Sequence, residues 1–200
     1  MGHDFGRDVE HDEMIELFER IVGRVLQLQP KAALLKKFGA QPELWLRNEI
    51  ALELHQWLGG HVQCEADYLG TGMRLDLRIA CARQVYLIEV KVEDRNSRDM
   101  LPPIKGDAVK IMGYIPEVDT KDKPVVRCLL AVAVTTDEGK KLTQVATSEV
   151  ATSEVSNPGR VCRQQGSMTV MIVGLEQRRP PVKGSGPRQW DGTPASINRR

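Results

Sequence analysis

Three charged residues in two neighbouring apolar segments are the first candidates for chemistry in this chain. Glu89 and Lys91 lie two residues apart in the segment 85–92, and Asp76 lies in the segment 73–79. Strand side chains alternate between faces, so Glu89 and Lys91 share one face of a predicted strand. Charges on a buried strand are costly unless they are paired or used, so they indicate either a structural ion pair or a working site.

The segment 73–79 alternates apolar and charged residues, which predicts a second strand. If the turn between the two strands is centred between Ala82 and Arg83, Asp76 lies opposite Glu89, with Cβ atoms roughly 5 Å apart. Two carboxylates at that distance repel each other. A divalent cation such as Mg²⁺ would relieve the repulsion, because it binds carboxylate oxygens and waters.

Helical and strand patterns alternate along the chain in an order that would position these residues. Apolar residues recur every three or four positions in 12–28 and 42–58, which predicts two helices. The other predicted elements are a short helical piece at 31–38, strands at 61–69, 73–79 and 85–92, a helix at 104–115, a buried strand at 125–134, and closing strands at 161–165 and 168–175. Thr135 and Glu138 have the spacing of a capping box, which predicts a further helix start.

These residues carry a resemblance to a known family. Asp76, followed on the next strand by Glu89-Val90-Lys91 and preceded by a helical Glu, resembles the PD-(D/E)XK nuclease superfamily. That superfamily includes type II restriction enzymes, Holliday-junction resolvases and RecB-like nucleases. Leu75 stands where the consensus has a proline.

The resemblance covers residues 41–175 and implies a fold. The order helix, three strands, helix, strand between residues 42 and 134 matches the superfamily's core. It implies an α/β domain with a restriction-endonuclease-like αβββαβ core, in which helices flank a mixed central sheet. Residues 1–40 form an N-terminal helical extension that either covers the core or presents a surface to a partner protein or a second copy. Residues 176–200 are basic and are predicted to be a disordered tail.

The resemblance also implies an activity, namely metal-dependent hydrolysis of phosphodiester bonds, with DNA as the expected substrate. Asp76, Glu89 and the carbonyl of Val90 would hold Mg²⁺ or Mn²⁺, and Lys91 would position the attacking water. A Glu of the first core helix would complete the metal site. Glu49 fits the spacing of about ten residues before the turn into the first strand.

Five further residues have subordinate roles in this interpretation. Glu53 is the alternative to Glu49 in the metal site. Lys110 and Tyr114 share a helix face and are the auxiliary candidates that the resemblance implies. Arg95 and Arg98 follow the predicted site strand and either contact the nucleic-acid backbone or serve solubility. Substituting Asp76 or Lys91 with Ala is expected to abolish cleavage with little loss of folding.

Composition excludes several other classes. The 200 residues carry a net charge of +1, which neither favours nor excludes nucleic acid as a partner. The four cysteines are scattered without metal-ligand spacing, which predicts buried thiols in a reducing compartment. No apolar run is long enough to span a bilayer, and the N-terminus is acidic and polar, so a cytoplasmic protein without a membrane partner is expected.

Two alternatives to an active nuclease remain open. The fold can be kept without the chemistry, as a nucleic-acid-binding or scaffolding subunit in which Glu89 and Lys91 form a structural ion pair. A small-molecule enzyme is the other alternative, and the absence of a Gly-rich phosphate loop or a G-x-S-x-G elbow argues against it. The biological setting is equally open between restriction or anti-phage defence, repair and recombination, and a mobile element.

Overall fold

The computed structural model describes most of the region between residues 5 and 177. The described residues are 5–31, 34, 42–58, 61–67, 73–81, 84–93, 99–113, 123–147, 155–156 and 159–177. The helices are α1 (Phe5–Gln27), α2 (Pro42–Leu58), α3 (Leu101–Met112) and α4 (Thr136–Thr147). The strands are β1 (His61–Asp67), β2 (Arg74–Ala80), β3 (Val85–Val92), β4 (Val125–Ala133), β5 (Val155–Ser156), β6 (Arg160–Gln165) and β7 (Met168–Gln177).

The strands form one mixed sheet flanked by helices, so the predicted α/β class is confirmed. The sheet runs in the order β1, β2, β3, β4, β7, and both β5 and β6 pair with β7. Strands β1, β2 and β3 form an antiparallel meander, whereas β3 and β4 are parallel. Parallel neighbours need a crossover connection, and α3 provides it between β3 and β4.

The helices bury the two faces of this sheet in two separate core layers. On one face, α1 and α2 pack over Ile88 and Val90 of β3. On the other face, α3 packs over Leu87, the residue before Ile88, because successive side chains of a strand point to opposite faces. Because both faces of the sheet are covered, the sequences of β3 and β4 are nearly continuously apolar. The charged residues of β3 are the exceptions.

Helix α1 covers the core, which is one of the two roles that the sequence left open for residues 1–40. Its side chains Leu17, Phe18, Ile21 and Val25 are at most 1% exposed, and they share one apolar cluster with α2 and the sheet. Within residues 12–27 of α1, none of the large apolar side chains is among the exposed ones. The predicted helical piece at 31–38 and the basic tail lie largely outside the described residues.

Two buried carboxylates join the end of β3 and the start of α3 to the junction between β4 and α4. Glu93 accepts the N–H groups of Val134 and Thr135 at 2.8 Å and the Thr135 hydroxyl at 2.9 Å. Glu138 accepts the N–H of Met100 at 3.1 Å, at the start of α3. The predicted helix start after Thr135 is confirmed, but Thr135 and Glu138 make these distant bonds instead of capping each other.

Helix α3 begins at Leu101, three residues earlier than predicted. The prolines at 102 and 103 lie in the first turn of the helix, where a missing N–H costs nothing. At the N-terminus of α3, the N–H of Met100 is satisfied by its bond to Glu138. Among the described residues, none of the helices combines the length and the apolar composition that a membrane crossing requires.

We expect Phe18→Ala to lower the free energy of unfolding by about 3–5 kcal/mol, because the ring is fully buried between α1 and the sheet. Urea denaturation followed by circular dichroism measures the loss. Leu52→Ala is the control, since Leu52 is 55% exposed on α2 and should change stability by about 0.5 kcal/mol or less. Equal effects of the two substitutions would contradict the packing of α1.

Candidate functional site

The predicted register of the β2–β3 hairpin is confirmed. The observed pairs run from Ala80 opposite Val85 to Leu77 opposite Ile88. Continued by one step, this register sets Asp76 opposite Glu89, as the sequence predicted, but the paired positions end before that step. The two turn residues at its centre lie outside the described residues.

The two strands part at Asp76. Their paired positions end at Leu77 and Ile88, and the next free N–H of β3, that of Val90, donates to Oδ2 of Asp76 at 2.8 Å. A side chain thus takes the place of the β2 backbone as the hydrogen-bond partner. On the other side of β2, the residue in register with Asp76 is Glu65, which has φ of +54°. A positive φ is uncommon outside glycine, so the sheet is distorted on both sides of Asp76.

A buried arginine holds the acids on this distorted edge. The Nη1 atom of Arg47 lies 3.5 Å from Oδ1 of Asp76, and its Nη2 lies 3.0 Å from Oε1 of Glu65. The hydrogen bond from Arg47 is the main reason that the pKa of Glu65 is lowered, and Arg74 contributes to the same shift. Sequence reasoning missed Arg47, which is 8% exposed and lies on α2.

Glu89 is almost fully buried and is paired with a lysine of α3. Its side chain is 3% exposed, and the Lys110 ammonium lies 2.9 Å from Oε1 and 3.0 Å from Oε2. A charged carboxylate in such a position requires a close counter-charge. The structure therefore brings together Lys110 and Glu89, two of the residues that the sequence singled out.

Lys91 lies between acids from two different helices. Its Nζ is 3.3 Å from Oε2 of Glu43 on α2 and 3.8 Å from Oδ2 of Asp107 on α3. Because β2 has left β3 at this point, the edge of β3 can be approached by helices from both faces of the sheet. Burial alone would lower the pKa of Lys91, but the charges of Glu43 and Asp107 raise it above its usual value.

The two acids beside Lys91 have raised pKa values. For Glu43 and for Asp107, burial is the main cause, and the carboxylate of Asp76 raises the pKa of each further. The Lys91 ammonium opposes both shifts. These three acids therefore lie close enough to repel one another, with Lys91 as a counter-charge.

Glu43, and not the predicted Glu49, is the glutamate of α2 that lies beside Lys91. The carboxylate of Glu49 faces α1, with Oε2 3.1 Å from Nη2 of Arg24, and Glu53 also pairs with α1 residues. Six residues of helix turn the side chain by roughly 240°, so Glu43 and Glu49 lie on different faces of α2. The spacing to the first strand therefore selected a residue on the face that α2 turns to α1, and the role of Glu49 in a metal site stays a prediction. A better signal is that Glu43 and Arg47 are four residues apart and share a face.

The other predicted residues divide in two groups. The backbone of Val90 lies at the site through its bond to Asp76. Arg95, Arg98 and Tyr114 lie outside the described residues, so the prediction that they contact nucleic acid stays a prediction.

Mg²⁺ keeps several waters and takes one or two carboxylates in proteins, and the carboxylates of this edge are those of Asp76 and Glu89. Among the residues that the structure describes, no group of three or more His, Cys, Asp or Glu side chains is arranged to hold a metal ion. The positive charges beside the two carboxylates are Arg47 and Lys110.

Comparisons of the chain with protein-family models, with curated proteins and with solved structures found no match.

We expect Lys91→Met to raise the pKa values of Glu43 and Asp107 further, because their burial remains while the opposing ammonium is lost. NMR titration of the side-chain carboxyl carbons measures both values. Lys110→Met is the matched control, since Lys110 lowers the pKa of Asp107 and contributes little to that of Glu43. Of the two acids beside Lys91, the control should raise the pKa of Asp107 and leave that of Glu43 unchanged. A Glu43 pKa unchanged by Lys91→Met would contradict the arrangement.

The bond from Val90 changes the expectation that Asp76→Ala leaves folding intact. Alanine removes the acceptor of the Val90 N–H, so we expect a loss of about 1–3 kcal/mol in the free energy of unfolding. Asp76→Asn keeps an oxygen at that position and should lose clearly less. Urea denaturation of the two variants decides the point, and equal losses would show that the bond contributes no stability.

Proposed function

We propose that this chain is a metal-dependent nuclease with a PD-(D/E)XK-type core, which hydrolyses phosphodiester bonds of nucleic acid, with DNA as the expected substrate. One observation carries the proposal. The carboxylate of Asp76 accepts the N–H of Val90, the residue between Glu89 and Lys91, at the point where the pairing of β2 and β3 ends. A two-carboxylate edge with an adjacent lysine is the donor set that metal-assisted phosphodiester hydrolysis needs.

The topology around the site supports the same proposal. The elements α2, β1, β2, β3, α3 and β4 follow the αβββαβ order, with an antiparallel meander and a parallel fourth strand. The site lies at the edge of this unit, where α2 and α3 reach β3 from opposite faces of the sheet.

Asp76, Glu89 and the carbonyl of Val90 would hold the ion, and we assign to Glu43 the role that the sequence had given to Glu49. When bound, the ion supplies charge stabilisation at the phosphorus and at the leaving oxygen. The protein groups have two tasks beside it. They position the attacking water, and they accept its proton.

Lys91 positions the water as a hydrogen-bond donor. Its pKa is raised, so the side chain is an ammonium at neutral pH and cannot take up a proton. We assign proton acceptance to Asp107, which lies 3.8 Å from Lys91 and has a raised pKa, since a general base works best when its pKa approaches the working pH.

Arg47 and Lys110 neutralise Asp76 and Glu89 in the protein alone. Once a cation neutralises these acids, both basic side chains can turn to the phosphate oxygens of the substrate. Arginine suits this task because its planar fork of donors matches a phosphate. In this proposal, Lys110 keeps the auxiliary role that the resemblance implied.

A second candidate is a nuclease-fold binding module without catalysis. The observation in its favour is that the site charges already pair within the protein, Asp76 with Arg47 and Glu89 with Lys110. Such a set is a satisfied ion-pair network that needs no metal.

The test is cleavage of supercoiled plasmid, linear duplex, single-stranded DNA and RNA by the purified full chain with Mg²⁺, Mn²⁺ or EDTA. We expect cutting that depends on metal and falls by about 100-fold or more in Lys91→Ala, because a donor at the reacting centre is lost. Lys105→Ala is the matched control, since Lys105 is exposed on the same α3 and should cut normally.

Two variants test which glutamate of α2 belongs to the site, Glu43→Gln and Glu49→Gln. Glu43 lies beside Lys91 in the structure, whereas Glu49 was indicated by the sequence spacing. The first should lose cleavage and the second should keep it, because Glu49 faces Arg24. If no substrate is cut and calorimetry detects no binding of Mg²⁺ or Mn²⁺, the nuclease proposal fails and the binding module replaces it.

A further inference from the structure

A pocket lies away from the proposed nuclease site. It encloses about 270 Å³ between α1, the end of α2 and the start of β3. Tyr86 lines it, and Tyr86 is five residues before Lys91, or roughly 16 Å along the strand. Tyr86 also belongs to the core layer of α1 and α2, whereas Glu89 and Lys91 alternate to the other face. The pocket is therefore separate from the site already described.

We propose that this pocket binds a small organic cation, with an ammonium group on a compact apolar body. Its volume lies just below the range of pockets for drug-sized ligands, which limits the ligand to about one ring. The apolar wall consists of Leu17, Leu58 and the ring of Trp57. Aromatic and aliphatic walls of this kind bind an apolar body by excluding water.

Among the described residues, the charged side chains that line the pocket are both acids. Glu13 and Glu16 are three residues apart on α1, so they lie on one face of the helix. Burial is the main cause of the raised pKa values of Tyr86 and Cys81, and Glu13 adds to both. The Lys123 ammonium, which donates to the Cys81 carbonyl at 2.8 Å, opposes the shift at Cys81, so the acidic part of the pocket is the α1 side. The two carboxylates there favour an ammonium group over a phosphate.

The rest of the pocket determines where the ammonium lies. The guanidinium of Arg20 lies over the Trp57 ring, 4.6 Å from its centroid, so one face of the indole is already covered by a cation. A ligand's ammonium is therefore directed to Glu13 and Glu16. The buried polar side chains of the pocket are those of Gln84 and Tyr86. Both are neutral, and the Gln84 amide donates to the Tyr86 hydroxyl.

The experiment measures binding of three probes to the full chain by saturation-transfer NMR and calorimetry. Benzylamine is the test probe, benzyl alcohol has the same ring without charge, and benzoate carries the opposite charge. We expect benzylamine to bind with millimolar affinity, benzyl alcohol to bind about tenfold more weakly, and benzoate to show no binding.

The double variant Glu13→Gln with Glu16→Gln should weaken benzylamine binding by about tenfold or more and leave benzyl alcohol unchanged. Asp12→Asn is the matched control, because Asp12 is exposed on the same helix and does not line the pocket. Circular dichroism verifies that each variant is folded. The proposal is overturned if benzylamine does not bind, if benzoate binds equally well, or if the double variant binds benzylamine as the natural chain does.

Discussion

The hydrogen bond from the Val90 N–H to the Asp76 carboxylate is the interaction on which the site depends. It satisfies a backbone donor that the parting of β2 and β3 would otherwise leave without a strand partner. Because the strands can part there at little cost, the edge of β3 is open to both core layers. Glu43 of α2 and Asp107 of α3 then reach the same Lys91 from opposite faces of the sheet. A continuous β2–β3 ladder would close that route.

The charges at this edge determine geometry more than stability. Two opposite charges 4 Å apart attract by about 4 kcal/mol at an effective dielectric constant of 20. Removing each charge from water costs several kcal/mol, so a buried pair comes close to break-even. The raised pKa values of Glu43 and Asp107 express this balance, since burial outweighs the help of Lys91 at both carboxyls. What the network provides is a fixed set of acids and bases whose charges are held close together.

Local patterns predicted the elements and the register well, and predicted the contacts between distant elements poorly. The bounds of α2 and β3 match the periodicity, because apolar spacing and helix-start chemistry are local properties. The opposition of Asp76 and Glu89 followed from the hairpin alone. Glu43 and Arg47 were missed because the face that α2 turns to the sheet edge depends on how α1 and α2 pack together. The bonds of Glu93 and Glu138 were missed because each joins residues about 40 positions apart, which no spacing rule covers.

The hydrogen bonds of the buried Glu93 and Glu138 carboxylates have a consequence for how this protein can be altered. Glu93 is bound at the end of β3 and Met100 at the start of α3, so both ends of the connection between them are fixed to the body of the domain. The intervening stretch can therefore vary in length and composition without displacing the strand that carries Glu89 and Lys91.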